Sequence, residues 1–201
     1  MTPSEKIEKL SRQITPERYA KMLRALEYRT LKLTVVLEDI YQPHNAAAVL
    51  RSCDALGVSK WMDIFKYKSP TCTTAFAARN REPNEFDKAN TIKAISDLKA
   101  KGYVVAASSL DANPVDVCEL PVEKPLAIMI GTELTGLSKT ALENADITFK
   151  TDMLGFAQSF NLSVFAALCI SQLSKKMRAL NDGWKMGEKE KQELLLRWLS
   201  L

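Results

Sequence analysis

Residues 33–57 read LTVVLEDIYQPHNAAAVLRSCDALG, and two different periods meet inside them. LTVVLEDI (33–40) is rich in β-branched and aliphatic side chains and is bounded by the proline-containing break YQPHN. That composition predicts a strand. From Asn45 onward the spacing is helical: Val49, Leu50, Cys53 and Leu56 fall on one side of a helix turning about 100° per residue. Asn45 is expected to cap this helix and Gly57 to stop it. A strand that runs directly into a helix is the opening half of a βαβ unit.

The alternation continues outward. KWMDIFKY (60–67) reads as a second strand, and YVVAASS (103–109) and PLAIMIG (125–131) as short buried strands. DITFKT (146–151) is a further strand. Between and after them, TIKAISDLKA (91–100), SKTALENA (138–145) and NLSVFAALCISQLSKKMRAL (161–180) read as helices. Ile92, Ile95 and Leu98 are expected to share one buried side of the first of these, with Gly102 behind it. Two short helices precede the first strand. In TPERYAKMLRALEYR, Thr15 is the cap, Pro16 the first helical residue, and Tyr19, Met22, Leu23 and Leu26 the apolar face. EKEKQELLLRWLSL (188–201) is a last amphipathic helix. Leu195, Trp198 and Leu199 there serve either an interface or packing within the same chain. The fold class is therefore α/β, a mostly parallel sheet with helices on both faces. Ligands of such sheets bind beyond the carboxyl ends of strands.

Composition narrows the functional classes. A chain of 201 residues with 46% hydrophobic and 26% charged residues is ordinary for a globular protein. No apolar run approaches the ~18–20 residues that span a bilayer. The polar start MTPSEKIEKL is unlike a secretory signal, so a cytoplasmic protein is expected. Cys53, Cys72, Cys118 and Cys169 form no C-x-x-C pair, and there is one histidine, so no metal site is expected. Two disulfides are possible by count, but reduced thiols are the expectation. Residues 1–30 carry seven Lys/Arg against four Asp/Glu, and so do residues 174–201. The excess positive charge thus lies at the two ends, a footprint suited to a polyanion such as RNA.

Three loops carry the chemistry. In the first, Arg51 lies opposite the apolar stripe, beside Ala47, Asp54 and Ala55. It is either a solvated cation paired with Asp54 at i+3 or a cation on an alanine-rich face that a ligand can approach closely. IGTELTGLS (130–138) places Glu133 between Gly131 and Gly136, with Ser138 as a cap. It is neither a Walker A loop nor G-x-G-x-x-G, so nucleoside triphosphate and dinucleotide sites lack their usual signatures. DMLGFAQSFNLSVFAA (152–167) gathers Gly155, Gln158, Ser159, Asn161 and Ser163 before the long helix. Asn161 can cap that helix, yet a cap needs only one polar residue. His44 is the sole histidine and no nucleophile elbow is present, so Ser-His-Asp chemistry finds no support.

NAAAVLR, GTELTGLS and MLGFAQSFNLSVFAA resemble, in order and spacing, the three motifs of the SPOUT RNA methyltransferases. The likeness is greatest to the TrmH group, which makes 2′-O-methylguanosine in the D-loop of tRNA, and covers about residues 15–180. The resemblance implies a C-terminal deep trefoil knot, a rare exception to the rule that chains do not thread loops. It implies S-adenosylmethionine as cofactor, a homodimer as the active unit, and RNA, foremost tRNA, as partner. Ribosomal RNA, or RNA binding without catalysis, are the alternatives. It divides the chain into an RNA-contacting helical extension (1–30), a methyltransferase domain (31–180) and a C-terminal helix (181–201). Arg51 matches the motif arginine, as proton acceptor or phosphate clamp, with Asn45, Glu133, Ser159 and Asn161 grouped around it. Ser108, Gly131, Thr151, Met153 and Phe160 match the cofactor contacts. Asp152, Phe160 and Leu162 stand where the family has proline, leucine and valine. TCTTAFAARNREPNEF (71–86) fits the family poorly, although Arg79 and Arg81 are candidates for touching RNA.

Overall fold

The computed structural model describes residues 2–40, 42–64, 85–110, 113–180 and 182–200. Cys72, Arg79, Arg81 and all of 71–86 except its last two residues lie outside them, as does the end of the strand expected at 60–67. The chain opens with helices α1 (Pro3–Ser11) and α2 (Pro16–Leu26). It continues through β1 (Thr30–Glu38), α3 (Pro43–Ala55), β2 (Val58–Ile64), α4 (Glu85–Ala100) and β3 (Val104–Ser108). There follow β4 (Val115–Asp116), β5 (Leu126–Ile130), α5 (Lys139–Asn144), β6 (Ile147–Lys150), α6 (Leu162–Leu180) and α7 (Glu188–Leu199). The sheet order is β2-β1-β5-β3-β6-β4, and every neighbouring pair is parallel.

Alternation along β1 sorts side chains to the two faces of the sheet. Leu33, Val35 and Leu37 meet Val49 and Cys53 of α3 and Ala166, Ile170 and Leu173 of α6. Val36 faces the other way, with Val105, Ala127 and Met129, against Ile95 and Leu98 of α4 and Ala141 of α5. The result is a three-layer α/β/α body. Within it, burial pushes the Cys53 thiol up to about 11 and the Cys169 thiol up to about 12, so both stay protonated at neutral pH. Cys53, Cys118 and Cys169 are all free thiols. Among the described residues no group of side chains suits a metal ion, and no helix is long and apolar enough to cross a membrane.

The buried side of α4 differs from expectation. Ile95 and Leu98 are buried, but Ile92 is exposed and Thr91 takes the inner position. Positions 91, 95 and 98 are spaced i, i+4, i+7, which leaves residue 92 turned away. Thr91 is inside because its hydroxyl donates to Glu38 Oε1 at 2.8 Å. Glu38, at the end of β1, is itself only 1% exposed. Its carboxylate also accepts from Ser138 Oγ at 2.8 Å and from the Ser138 N–H at 2.7 Å. Ser138 in turn caps α5 by accepting from the Ala141 N–H. A buried carboxylate thus ties two helices to one strand. Glu38→Ala strands these donors and is expected to cost about 2–4 kcal/mol. Calorimetry should show a Tm roughly 5–12 °C lower.

The end helices pack on one another. Leu195 and Leu199 of α7 and Leu26 of α2 are buried together, with Ile7, Leu10, Ile14, Tyr19, Met22 and Trp198 around them. Lys191 Nζ donates to both carboxylate oxygens of Glu27, at 2.9 and 3.0 Å. The apolar tail therefore covers its own N-terminal helices, and the two basic ends of the sequence lie side by side. Arg178 of α6 anchors the body beneath them, donating to the carbonyls of Leu56 and Tyr28. Gly57 is required there: it has φ +78°, and a Cβ would lie 2.1 Å from the Tyr28 carbonyl oxygen.

Candidate active site

The carboxyl ends of β3, β5 and β6 open onto one cleft of about 380 Å³. Ser108, Gly131, Thr151, Met153 and Phe160, the five expected cofactor positions, all line it, and so does Ser159. Leu137, Leu142, Phe149 and Phe165 supply apolar wall. The volume lies within the usual range for a small-molecule pocket, and the mixture of apolar wall and few polar groups is typical. The Thr151 hydroxyl is buried without a well-aligned hydrogen-bond partner among the described residues.

The floor beside β5 is a tight backbone loop. Thr132 and Gly136 exchange N–H···O bonds of 3.1 and 3.0 Å. Gly136 has φ +65°, and a Cβ on Gly131 would lie 2.2 Å from the Gly136 carbonyl atoms. Both glycines are therefore set by geometry.

At the rim, the three sequence motifs meet in one hydrogen-bond network. Glu133 Oε1 accepts from Asn45 Nδ2 at 3.0 Å, Asn161 Nδ2 at 2.9 Å and the Leu162 N–H at 3.3 Å. Asn161 Nδ2 also lies 3.5 Å from Asn45 Oδ1. Asn161 Oδ1 accepts from the Ser163 N–H at 3.0 Å, the capping geometry expected for α6. Asn45 does not cap α3. Pro43 starts that helix one turn earlier, with Gln42 at the N-cap position, and Asn45 is buried within the first turn. Proline suits the first helical position because its missing N–H has no partner there to lose. Asn45 is thereby freed to bridge Glu133 and Gln42 Oε1, the latter at 3.0 Å.

Gln42 is a participant that the sequence reading did not single out. Gln42 carries one local signal, its i, i+3 spacing to Asn45. A second, smaller pocket of about 160 Å³ lies between Gln42, Asn45, Glu133 and Leu162. Glu133 therefore borders both cavities.

Arg51 is not among the residues lining either cavity. It is exposed on α3 with Ala47, Asp54 and Ala55, the face expected from the helical spacing. Its expected alternative partner, Asp54, pairs instead with Arg29. His44 is exposed in the first turn of α3.

The fold and the rim network together define an α/β protein with a strand-end cleft beside which three motif segments meet. The chain belongs to the SpoU rRNA Methylase family, which it matches over residues 32–171. It is 36% identical over 190 residues to the tRNA (guanosine(18)-2′-O)-methyltransferase of Borreliella burgdorferi, covering 94% of this chain and 87% of that one. Its fold is similar to that of the A. aeolicus TrmH/SpoU tRNA modifying enzyme, with a TM-score of 0.74 and 23% identity, over 92% of this chain and 95% of the other. It is also similar to the SpoU methyltransferase AviRb from Streptomyces viridochromogenes, whose structure is a complex with the cofactor AdoMet. There the TM-score is 0.56 and the identity 22%, covering 79% of this chain and 62% of that one.

Proposed function

We propose that this protein transfers a methyl group from S-adenosylmethionine to the 2′-hydroxyl of a guanosine in the D-loop of tRNA. The observation that carries the reading is the convergence of Asn45, Glu133 and Asn161 on one rim, beside a cleft lined by every expected cofactor position. The activity named for the B. burgdorferi relative supports the substrate.

The residues present fit the cofactor. The backbone of the 131–136 loop can approach closely because Gly131 has no side chain, and the Thr151 hydroxyl, without a well-aligned hydrogen-bond partner among the described residues, lies beside the cleft. When bound, S-adenosylmethionine supplies an electrophilic methyl group. Ser108, Gly131, Thr151, Met153 and Phe160 hold it. The pocket beside Asn45 and Glu133 receives the target ribose, so that the two reactants meet at the Glu133 rim. Holding reactants in line accounts for much of the rate in such transfers. Ser159 faces the same cleft and orients the hydroxyl. Arg51 serves as phosphate clamp beside the ribose. A guanidinium does not lose its proton at physiological pH, whereas its fork matches phosphate oxygens.

The same reading includes a homodimer in which Arg51 of one subunit completes the site of the other. Its support is that Arg51 stands outside the cleft of its own chain, while Leu154, Phe156, Val164 and Leu168 are exposed around the start of α6. It includes the trefoil knot formed by the C-terminal segment, the three-part division 1–30, 31–180 and 181–201, RNA contact by the basic end helices, and a cytoplasmic location. The test is incubation with labelled S-adenosylmethionine and total RNA, followed by nucleoside mapping. Label is expected in 2′-O-methylguanosine of tRNA. Label confined to ribosomal RNA, the second reading suggested by the family's description, or to a base, would overturn the substrate. Absence of cofactor binding by calorimetry would overturn the enzyme.

A further inference from the structure

On α3, Asp54 follows Arg51 by three residues, a spacing at which an arginine and a carboxylate are surface neighbours and pair readily. Both are exposed. The carboxylate nevertheless accepts a hydrogen bond from Arg29, which lies between α2 and β1. Arg29 is held on its other side as well, its guanidinium carbon 5.3 Å from the centre of the Trp198 ring of α7. Its side chain is 12% exposed, against 73% for Asp54. Arg29 is therefore the more enclosed of the two partners, packed on Trp198 while it holds the exposed carboxylate. Arg51 makes no ion pair or hydrogen bond with any described residue.

We infer that Arg29 is a positioning residue for Arg51. By holding Asp54 against the terminal helices, it denies Arg51 an internal counter-ion and leaves that guanidinium available to an RNA phosphate. A carboxylate and a phosphate compete for the same planar fork of donors, so an unrestrained Asp54 would act as a built-in competitor of the substrate. The pair's own contribution to stability is that of a partly exposed ion pair and small. Its consequence is for RNA, not for the fold. The inference rests on the proposed contact of Arg51 with RNA.

The test is a cycle of variants in the full chain, read as kcat/KM for tRNA at low salt, with Tm recorded for each. Arg29→Gln releases Asp54 and is expected to lower kcat/KM by roughly three- to tenfold, an effect that fades as salt is raised. Asp54→Asn removes the competitor and should stay within about twofold of the parent. The double variant should recover to the level of Asp54→Asn alone. Arg29→Met, which keeps an apolar stem over Trp198, is made alongside in case Arg29→Gln does not fold. If the ion pair were only structural, Arg29→Gln and Asp54→Asn would fall together. If Arg29 itself gripped RNA, the double variant would stay as low as Arg29→Gln. Either result overturns the inference. Arg51→Ala separates the two layers: full activity in it would remove the proposed role of Arg51. A large loss in it, with Arg29→Gln unaffected, would remove only the inference.

Discussion

Glu133→Ala should reduce methyl transfer by roughly a hundredfold or more, because small displacements of reacting groups cost on that order. One carboxylate oxygen collects Asn45, Asn161 and the Leu162 N–H. Without it, Asn45, buried at 4% exposure, keeps only Gln42 Oε1 as acceptor, and Asn161 keeps only its 3.5 Å approach to Asn45 Oδ1 to turn it toward α3. Hydrogen bonds to an ionised acceptor are stronger than neutral ones, so the network loosens as a unit. Glu133→Gln separates geometry from charge. Its amide oxygen can occupy the same place and accept the same three donors. If Glu133 works by holding the two asparagines, Glu133→Gln should retain roughly ten times more activity than Glu133→Ala. Equal loss in the two variants would show that the negative charge itself acts on the reaction. Single-turnover rates at saturating cofactor make the comparison.

Gly131→Ala should weaken S-adenosylmethionine binding by roughly a hundredfold, the cost of forcing a loop apart at a site that must fit its ligand closely. The added methyl meets backbone, with Gly136 C and O at 2.2 Å and Leu137 N at 2.3 Å. None of these atoms can rotate aside as a side chain would. Relief requires breaking the Thr132–Gly136 bridge that shapes the cleft floor. Gly155→Ala is the control, since a Cβ there has nothing within 4 Å. Calorimetric titration of both variants should show loss in the first and an affinity within about threefold of the parent in the second. Equal affinities would mean that the cofactor does not use this floor.

The sequence made the layers legible because each element obeys its own period. LTVVLEDI and NAAAVLRSCDALG separate cleanly, and the faces drawn for α3 match the burial of Val49 and Cys53 and the exposure of Ala47, Arg51 and Ala55. β4, two residues long, is too short for any period to register. The motif loops could be picked out, but not their hydrogen bonds. Asn45 and Glu133 are 88 residues apart and Glu133 and Asn161 are 28 apart, so no local spacing rule connects them. Asn45 read as a cap because an asparagine before alanines usually is one; Pro43 moved the helix start and gave Asn45 a different task. Glu38 went unnoticed for a related reason. A carboxylate at the end of an apolar strand looks like the strand's exposed limit, and its partners Thr91 and Ser138 lie 53 and 100 residues downstream. The tail residues Leu195 and Leu199 fitted an interface or a self-contact equally well until α1 and α2 were seen beneath them.

That self-contact has a consequence for how the protein is made. Lys191 grips Glu27 across 164 residues of chain. At synthesis rates of about 5–20 residues per second, α2 waits roughly ten to thirty seconds for its cover. Throughout that interval Leu26, Tyr19 and Met22 have no α7 to lie against. A nascent chain at the ribosome therefore presents two uncovered amphipathic helices, next to an RNA-rich particle, until their cover is made. Stalling translation just before α7 should leave those helices open to chaperones and proteases, whereas release of the full chain should cover them.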